Sequence, residues 1–318
     1  MNYEIHKKIV IEKTSEKKYV SPLRYPGGKT HASLKIIPFI PNLNNFKEYR
    51  ELFLGGGSMA MRITMKYPHL KIITNDLFTP LYNFWRNLQK NGKKMEEHIY
   101  KIKVDCGIKD KSEDQSTRDK RWEKTSELFY HCKDQIISDK GSSFEKAVAF
   151  FIVNRVSFSG LTISSSVSKS NTDTHFNLNS ILKLSEYSKI IKNWEIYNLS
   201  YEELLVNDKE SFIYLDPPYE IEKEKYNSKS ALKVYGKNGD IVSIFSHDDF
   251  AKNLINNKSF CLISYNDSKK IKDRFKNWKP YNFDHTYSMK SVGDYYEDQK
   301  KRRELILFNY ESDQYKLF

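Results

Sequence analysis

Hydrophobic and polar positions alternate in two different ways along the chain. Between residues 47 and 90, apolar runs such as "YRELFL" and "KIIT" predict buried strands, and "MAMRITMKY" has the periodicity of a helix between them. After residue 195, "FIYL", "FCLISY" and "RELILF" predict further strands, with a helix capped by Ser246 between the first two. Strands that alternate with helices predict an α/β fold.

The middle of the chain differs from both flanks. It is charged, helix-prone and poor in Gly and Pro up to about residue 140, and an apolar run and a Ser/Asn-rich stretch follow. These changes predict one α/β domain that is interrupted by a mostly helical insert and preceded by a loose polar arm. The predicted boundaries are 1–17 for the arm, 18–90 and 195–318 for the α/β domain, and 91–194 for the insert.

The chain is basic. Of its 318 residues, 53 are Lys or Arg and 41 are Asp or Glu, which gives a formal net charge of +12. Such a balance favours a polyanionic partner, and nucleic acid is the obvious one. The abundance of Lys, Asn, Ile and Tyr is also what AT-biased coding produces, so the charge alone leaves nucleic-acid binding open.

Other features exclude several classes of protein. The three cysteines are far apart and form no C-x-x-C pair, and the histidines have no ligand spacing, so neither a disulfide framework nor a metal site is predicted. No segment resembles a signal peptide or is apolar for long enough to span a membrane. We therefore expect a cytoplasmic protein without a membrane partner.

A glycine turn follows the first predicted strand. In "ELFLGGGS", Gly55 and Gly57 allow a tight turn that exposes backbone N–H groups at the start of the next helix. About twenty residues later, Asp76 ends the next strand, where an acidic side chain can accept both hydroxyls of a ribose. Upstream, "YPGGK" does not have the residue spacing of a phosphate-binding P-loop. Its Lys29 is a cation that can bind a carboxylate group of a ligand. An adenosine that carries an amino-acid carboxylate is S-adenosylmethionine, which we predict as the cofactor.

The segment "LDPPY" ends another predicted strand. An exocyclic adenine amine is a poor nucleophile because its lone pair is delocalised into the ring. The carboxylate of Asp216 and the carbonyl of Pro217 can accept its two N–H groups, and the Pro-Pro pair fixes the backbone. Tyr219 offers a flat face on which a flipped base can stack. These three residues are the predicted catalytic group.

Together these motifs resemble the Dam-like DNA adenine-N6 methyltransferases of the alpha motif order. "SPLRYPGGK", "ELFLGGGS", "ITNDLF" and "LDPPY" occur in the order of that family, and the resemblance spans roughly residues 20 to 310. It implies a Rossmann-like S-adenosylmethionine-dependent methyltransferase domain of class α/β, with a mostly helical target-recognition insert that carries a β-hairpin. It also implies an adenine-specific enzyme that flips its target out of double-stranded DNA.

The resemblance assigns roles to individual positions. It implies that the cofactor contacts are Tyr25, Lys29, Phe53, Gly55, Gly57, Asp76 and Asp216. The segment "NRVSFSGL" matches the family's stretch that opens a DNA-inserted hairpin, so Phe158 becomes the residue that wedges into the base stack and Leu161 a base-edge contact. The other DNA contacts are assigned to Arg24, Asn154 and Arg155. Ile163 stands where Dam proteins have a guanine-reading arginine, which argues against GATC as the recognition sequence.

Three other functions remain open at this point: an N4-cytosine DNA methyltransferase, a non-catalytic DNA-binding module that kept the fold, and an enzyme that acts on RNA. Asp rather than Ser at position 216 and the motif order favour adenine. The sequence leaves a cognate restriction endonuclease, the oligomeric state and the roles of loops 221–245 and 290–303 unassigned.

Overall fold

The computed structural model describes residues 3–12, 20–25, 28–110, 112–220, 245–284 and 303–312. The chain divides into two compact units, each formed by two segments. The first unit comprises Met1–Pro26 and Phe78–Lys192, and the second comprises Gly27–Leu77 and Asn193–Phe318. None of the described helices combines the length and the apolar character that a bilayer crossing requires.

The described residues of the second unit form a seven-stranded sheet. Its strands in chain order are β1 (Glu48–Glu51), β2 (Lys71–Asn75), β3 (Glu195–Tyr197), β4 (Ser211–Leu215), β5 (Phe260–Asn266), β6 (Lys279–Asp284) and β7 (Arg303–Phe308). Their order across the sheet is β3-β2-β1-β4-β5-β7-β6. The first five strands are parallel, and β7 runs antiparallel to its neighbours β5 and β6.

The helices of the described residues are, in chain order, α1 (Tyr3–Glu12), α2 (Ser33–Ile36), α3 (Ser58–Lys66), α4 (Thr79–Cys106), α5 (Gln115–Ile137), α6 (Ser143–Val156), α7 (Asn171–Thr174), α8 (Leu178–Ile181), α9 (Leu184–Ile190), α10 (Tyr201–Leu204), α11 (His247–Ile255) and α12 (Lys269–Arg274). Short 3-10 turns occur at Ile37–Phe39, Leu43–Asn45, Phe158–Gly160 and Thr162–Ser164. The α/β fold class predicted from the sequence is confirmed.

The sheet topology fixes where a ligand can bind. Strands β2 and β3 are added on one side of β1, and β4 and β5 are added on its other side, so the strand order reverses between β1 and β4. The carboxyl ends of β1 and β4 therefore form the topological switch point of the sheet. All five residues of β4 are buried, which explains its continuous apolar sequence. The chain after β1 is the glycine turn, and the chain after β4 begins with Asp216. Both predicted motifs therefore lie at the edge of the sheet where ligands bind in such folds.

The first unit is helical and is centred on α6. Its residues 147–154 are buried without exception, and the long helix α4 packs against both α6 and α9. A capping box at Ser142 and Glu145 starts α6. An apolar run that is buried on all sides belongs in the middle of a helical bundle, which is where the structure places it.

The predicted boundaries differ from this division in two places. Helix α4 continues through residue 91, where Asn91 alone departs from helical dihedral angles, so residues 78–90 belong to the helical unit. The predicted loose arm includes a helix, α1, that is attached to α4. The hydroxyl of Tyr3 donates to Glu96 at 2.6 Å and the ammonium of Lys7 donates to it at 2.8 Å. Because Glu96 is fully buried, it requires such partners.

The predicted β-hairpin is reduced to one antiparallel bridge between Ser157 and Val167. Two 3-10 turns fill the loop instead of regular strands, because Gly160 and Thr162 have φ values of 67° and 50° that interrupt an extended backbone. Of the loops left unassigned from sequence, 221–245 and 290–303, only Phe245 and Arg303 fall within the described residues.

Candidate active site

Asp216 follows β4 and is held from two sides. The ammonium of Lys29 lies 2.8 Å from each of its carboxylate oxygens, and the hydroxyl of Ser264 donates to Oδ1 at 2.8 Å. The parallel register that pairs Leu215 with Ile263 places Asp216 beside Ser264. Two charge-assisted contacts from different elements fix the carboxylate in one orientation.

The electrostatic environment of Asp216 contains opposing effects. Burial raises the pKa of Asp216 above its ordinary value, the charge of Lys29 and its hydrogen bond lower that pKa, and Glu304 raises it. Lys29 itself is only 4% exposed, whereas the side chain of Asp216 keeps 20% of its surface. The carboxylate is thus paired with a buried cation while part of it still faces outward.

A second carboxyl group, Glu51, ends β1 beneath this pair. It is buried and accepts a hydrogen bond from the hydroxyl of Tyr49 at 2.8 Å. Burial raises the pKa of Glu51 to about 8, the hydrogen bond from Tyr49 opposes the rise, and the charge of Asp216 adds to it. Glu51 is therefore predominantly neutral at pH 7, and a single lysine can balance the site.

Tyr214 extends the support of Asp216 into the core. Its hydroxyl is 2.8 Å from the hydroxyl of Ser264, and both side chains are buried. The chain Tyr214–Ser264–Asp216 therefore limits the rotation of Ser264. Neither Ser264 nor Tyr214 is among the residues predicted from the sequence. The signal that could have found Ser264 is strand order, since β4 and β5 are expected to be neighbours in a doubly wound sheet.

Tyr219 lies close to the same lysine, and Pro217 follows Asp216 directly in the chain. Pro217 is buried, Tyr219 is half-buried, and the Lys29 ammonium is 5.0 Å from the centre of the Tyr219 ring. The hydroxyl of Tyr219 donates to Glu304 at 2.7 Å, and its ring is 6.0 Å from that of Tyr265. The structure therefore brings the predicted catalytic group and Lys29 together.

The glycine turn and Asp76 form a second cluster. Gly55 and Gly57 have φ values of 49° and 67°, in the left-handed region that glycine tolerates, and α3 begins at Ser58 immediately after them. The backbone N–H of Gly55 donates to Oδ2 of Asp76 at 2.8 Å. The side chain of Asn198 in turn donates to the Asp76 carbonyl at 2.7 Å. The turn and the acidic residue predicted to serve one ligand are hydrogen-bonded to each other.

Phe53 lies between the glycine turn and an aromatic cluster. It is half-buried, and its ring centre is 5.5 Å from Tyr201, 5.7 Å from Phe245 and 5.9 Å from Phe250. These contacts fix the ring while part of its surface stays exposed. Phe53 thus occupies a position from which a bound ligand can contact it.

Within the first unit, two of the residues predicted to touch DNA instead hold the chain that leads into the first motif. Asn154 is fully buried, and its amide accepts the N–H of Arg24 at 2.9 Å and donates to the Arg24 carbonyl at 2.5 Å. The guanidinium of Arg155 donates to the Pro22 carbonyl. A Cβ at Gly160 would lie 2.6 Å from the Arg24 carbonyl oxygen, so this close approach requires glycine. Asn154 is too deep for a base or phosphate to reach it in this arrangement.

The remaining residues of this segment differ in exposure. Phe158 and Leu161 are half-buried, whereas Ile163 is buried. The side chain of Arg24 donates to the Ser157 carbonyl at 3.0 Å, and burial lowers the pKa of Arg24 to about 10. Tyr25 is half-buried. Phe158 and Leu161 are accordingly the members of the segment with apolar surface available for a partner.

Comparison with known proteins gives three matches. The model of a family described as D12 class N6 adenine-specific DNA methyltransferase matches residues 25–289. The chain is 27% identical over 227 residues to the type II methyltransferase M.MjaIII of Methanocaldococcus jannaschii, covering 68% of this chain and 73% of that protein. It is 25% identical over 314 residues to the modification methylase StsI of Streptococcus sanguinis, covering 96% of this chain and 45% of that protein.

Glu51 makes the stability of the protein depend on pH. Its pKa is raised in the folded state, so the stability it contributes is fully present below about pH 4.5 and is lost as the pH rises to about 8. We expect the Glu51→Gln variant, which cannot titrate, to gain free energy of unfolding relative to the wild type by about 1.4 kcal/mol per pH unit across that window. Chemical denaturation at several pH values measures this difference.

The control is Tyr49→Phe, which removes the hydrogen-bond partner but keeps the titrating carboxyl. This variant should retain the pH dependence that Glu51→Gln loses. A difference between wild type and Glu51→Gln that stays constant from pH 5 to pH 8 would contradict the assignment.

Proposed function

The chain belongs to the D12 class of N6 adenine-specific DNA methyltransferases, and we propose that Asp216, Pro217 and Tyr219 carry out its methyl transfer. The enzyme methylates adenine in DNA, so the alternative of cytosine-N4 methylation is not favoured. One observation carries the assignment of residues: the Asp216 carboxylate is fixed by Lys29 and Ser264 at the switch point of the sheet.

The carboxylate of Asp216 can still accept a hydrogen bond from the N–H group of an amine. A carboxylate offers about four lone-pair positions, and the contacts from Lys29 and Ser264 use a part of them. An N–H group of the target adenine can therefore donate to Asp216, and the other can donate to the carbonyl of Pro217. Both bonds draw the amine nitrogen towards tetrahedral geometry and localise its lone pair. Because both acceptors are fixed before the base arrives, the amine is oriented without further ordering of the protein.

We propose S-adenosylmethionine as the cofactor, since polar groups of the second unit match its parts. Asp76 suits the ribose hydroxyls, the glycine turn before α3 allows a ligand to approach the backbone closely, and Lys29 suits the carboxylate of the ligand. By resemblance, Tyr25 and Phe53 would pack against it. When bound, this cofactor supplies the methyl group from its sulfonium. The Lys29 ammonium lies against both Asp216 and Tyr219, so a carboxylate bound to it would be next to the catalytic group.

We propose double-stranded DNA as the substrate, with the target adenine flipped onto Tyr219. The net charge of +12 supplies the attraction to phosphates. Phe158 would wedge into the stack and Leu161 would face base edges. Asn154 and Arg155 would act indirectly by holding Arg24 and Pro22, the residues they bind within the first unit. GATC is not the proposed site, because the family's arginine is replaced by the buried Ile163.

The names of the two relatives suggest the biological setting. One is a type II methyltransferase and the other a modification methylase. We propose that this enzyme likewise acts in a cytoplasmic restriction-modification system, beside an endonuclease that recognises the same sequence. Base-resolution sequencing of modified DNA from expressing cells would define that sequence.

Replacing Asp216 tests the proposed chemistry. In Asp216→Ala the adenine amine loses its charged acceptor, and in Asp216→Asn it loses the charge while an oxygen remains. We expect both variants to lower the methyl-transfer rate by at least about a hundredfold, as for other fixed electrostatic groups, with little change in DNA binding. Transfer of labelled methyl groups to unmethylated plasmid measures the rate. Asp249→Asn, on the exposed start of α11, is the matched control, and turnover at the wild-type rate in either Asp216 variant would refute the role.

Replacing Asp76 tests the cofactor assignment. Asp76→Ala removes an ionised acceptor from the ribose hydroxyls, and we expect cofactor binding to weaken by about 1.5–3 kcal/mol. Isothermal titration with S-adenosylmethionine or its demethylated product measures the loss. Asp76→Asn can keep the hydrogen bond from Gly55 but lacks the charge, so it should also bind weakly. If the Asn variant binds as tightly as the wild type, Asp76 only anchors the glycine turn.

Phe158 tests the proposed wedge. Phe158→Ala should slow methylation of a matched duplex much more than that of a duplex whose target adenine is already unpaired, because the unpaired base leaves the stack without help. Leu161→Ala, the control from the same turn, should change the preference for flanking sequence and affect both duplexes alike. An equal loss on both duplexes with Phe158→Ala would return this ring to a packing role.

A further inference from the structure

Glu304 is a carboxylate in a place where carboxylates are rare. It is the second residue of β7 and is 1% exposed. Its backbone is paired on one side with Asn266 of β5 and on the other with Phe283 of β6. A strand that is hydrogen-bonded on both sides has little freedom to move, so the carboxylate is presented from a rigid part of the sheet.

The hydroxyl of Tyr219 is bonded to this carboxylate. It donates to Oε2 of Glu304 at 2.7 Å, which joins the "DPPY" segment to a strand 85 residues further along the chain. Neighbours of the ring among the described residues include the Lys29 ammonium at 5.0 Å from its centre and the Tyr265 ring at 6.0 Å. An ammonium near a ring and a tilted aromatic neighbour restrict its translation, whereas a hydrogen bond to the hydroxyl anchors the far end of its long axis and so restricts the tilt of its face.

Keeping Glu304 has an electrostatic cost at the catalytic residue. Its charge raises the pKa of Asp216, which works against the ionised form that Lys29 favours. A neutral residue at position 304 would avoid that effect and would also avoid the desolvation of a buried acid. The position therefore requires an explanation beyond packing, and its bond to Tyr219 supplies one.

We propose that Glu304 is a positioning residue for methyl transfer, whose carboxylate fixes the Tyr219 hydroxyl and thereby the plane of the face on which the target adenine stacks. The inference rests on the proposed role of Tyr219. A stacked base follows the plane of its partner ring, and the amine must lie in line with the bond to the departing methyl group. Tilting the ring would misalign the amine without removing any catalytic group.

The test compares a variant that keeps a hydrogen-bond acceptor with one that lacks it. Glu304→Gln has a carbonyl oxygen for the Tyr219 hydroxyl, and Glu304→Leu has none. In single-turnover methylation of unmethylated plasmid, we expect Glu304→Leu and Tyr219→Phe each to be about tenfold slower than the wild type, with Glu304→Gln within about threefold of it. The double variant Tyr219→Phe/Glu304→Leu should be no slower than Tyr219→Phe alone, because both changes remove the same bond.

Tyr265→Phe is the matched control. The Tyr265 ring lies 6.0 Å from that of Tyr219, but the hydroxyl that this variant removes is hydrogen-bonded to Nδ1 of His247. Its effect should multiply with that of Glu304→Leu, as for independent sites.

Several results would overturn the inference. The first is a Glu304→Gln variant that methylates as slowly as Glu304→Leu. The second is a double variant whose loss of rate equals the product of the two single losses. The third is a Tyr219→Phe variant that methylates at the wild-type rate. The last of these remains decisive if Glu304→Leu does not fold.

Tyr219→Ala separates this inference from the proposed function. If Tyr219→Ala methylates at the wild-type rate, the target base does not stack on this ring. If Tyr219→Ala is slow but Tyr219→Phe and the Glu304 variants keep the wild-type rate, stacking stands and only the role of Glu304 is refuted.

Discussion

The buried ammonium of Lys29 is the charge around which the candidate active site is organised. It contacts both oxygens of Asp216, lies against the ring of Tyr219 and lowers the pKa of Glu51. A carboxylate this deep would be strongly destabilising without a partner, by about 3–5 kcal/mol when one member of a buried pair is removed. Lys29 comes from the turn just before α2, so a short loop of the second unit determines whether the acidic end of the sheet can form.

The acidic residues around Lys29 are each accommodated in a different way. Asp216 pairs with the cation, Glu51 takes up a proton and is bonded to Tyr49, and Glu304 accepts the hydroxyl of Tyr219. Three ionised carboxylates beside a single ammonium would repel one another, so the different solutions are a condition for folding. Among these acidic residues, Asp216 is the one that has both a cationic partner and a partly exposed side chain. An acceptor for a substrate amine needs both properties.

The parts of this site that could be predicted from sequence are those set by neighbours along the chain. Asp216 follows an apolar run, and Gly55 and Asp76 follow consecutive strands, so periodicity alone located them. Ser264 and Glu304 could not be located in this way, because their roles depend on which strands pair and in what register. Leu215 lies opposite Ile263, and Asn266 lies opposite Glu304. No local pattern encodes pairings between residues that are 38 and 48 positions apart.

The segment around Asn154 has a role within the first unit that its motif does not reveal. The amide of Asn154, a residue predicted to touch DNA, is used for the backbone of Arg24, and the approach of that backbone explains the glycine at position 160. Burial cannot be deduced from a short motif when the partner is 130 residues away. The attachment of the N-terminal helix cannot be deduced from sequence for a similar reason, since Tyr3 and Lys7 bind Glu96 across 93 and 89 residues.

Recognition and chemistry can therefore vary separately in this chain. The contacts described for Asp216 and Tyr219 come from Lys29, Ser264, Tyr265 and Glu304, all in the second unit. Residues 158–163 belong to the first unit, where the backbone turns are held by Asn154, Gly160 and Ser157. With the roles proposed above, a change such as Ile163 in place of arginine removes a base-reading side chain without touching any described contact of Asp216. Selection for a new recognition sequence could then act on that turn while the charge balance around Lys29 stays the same.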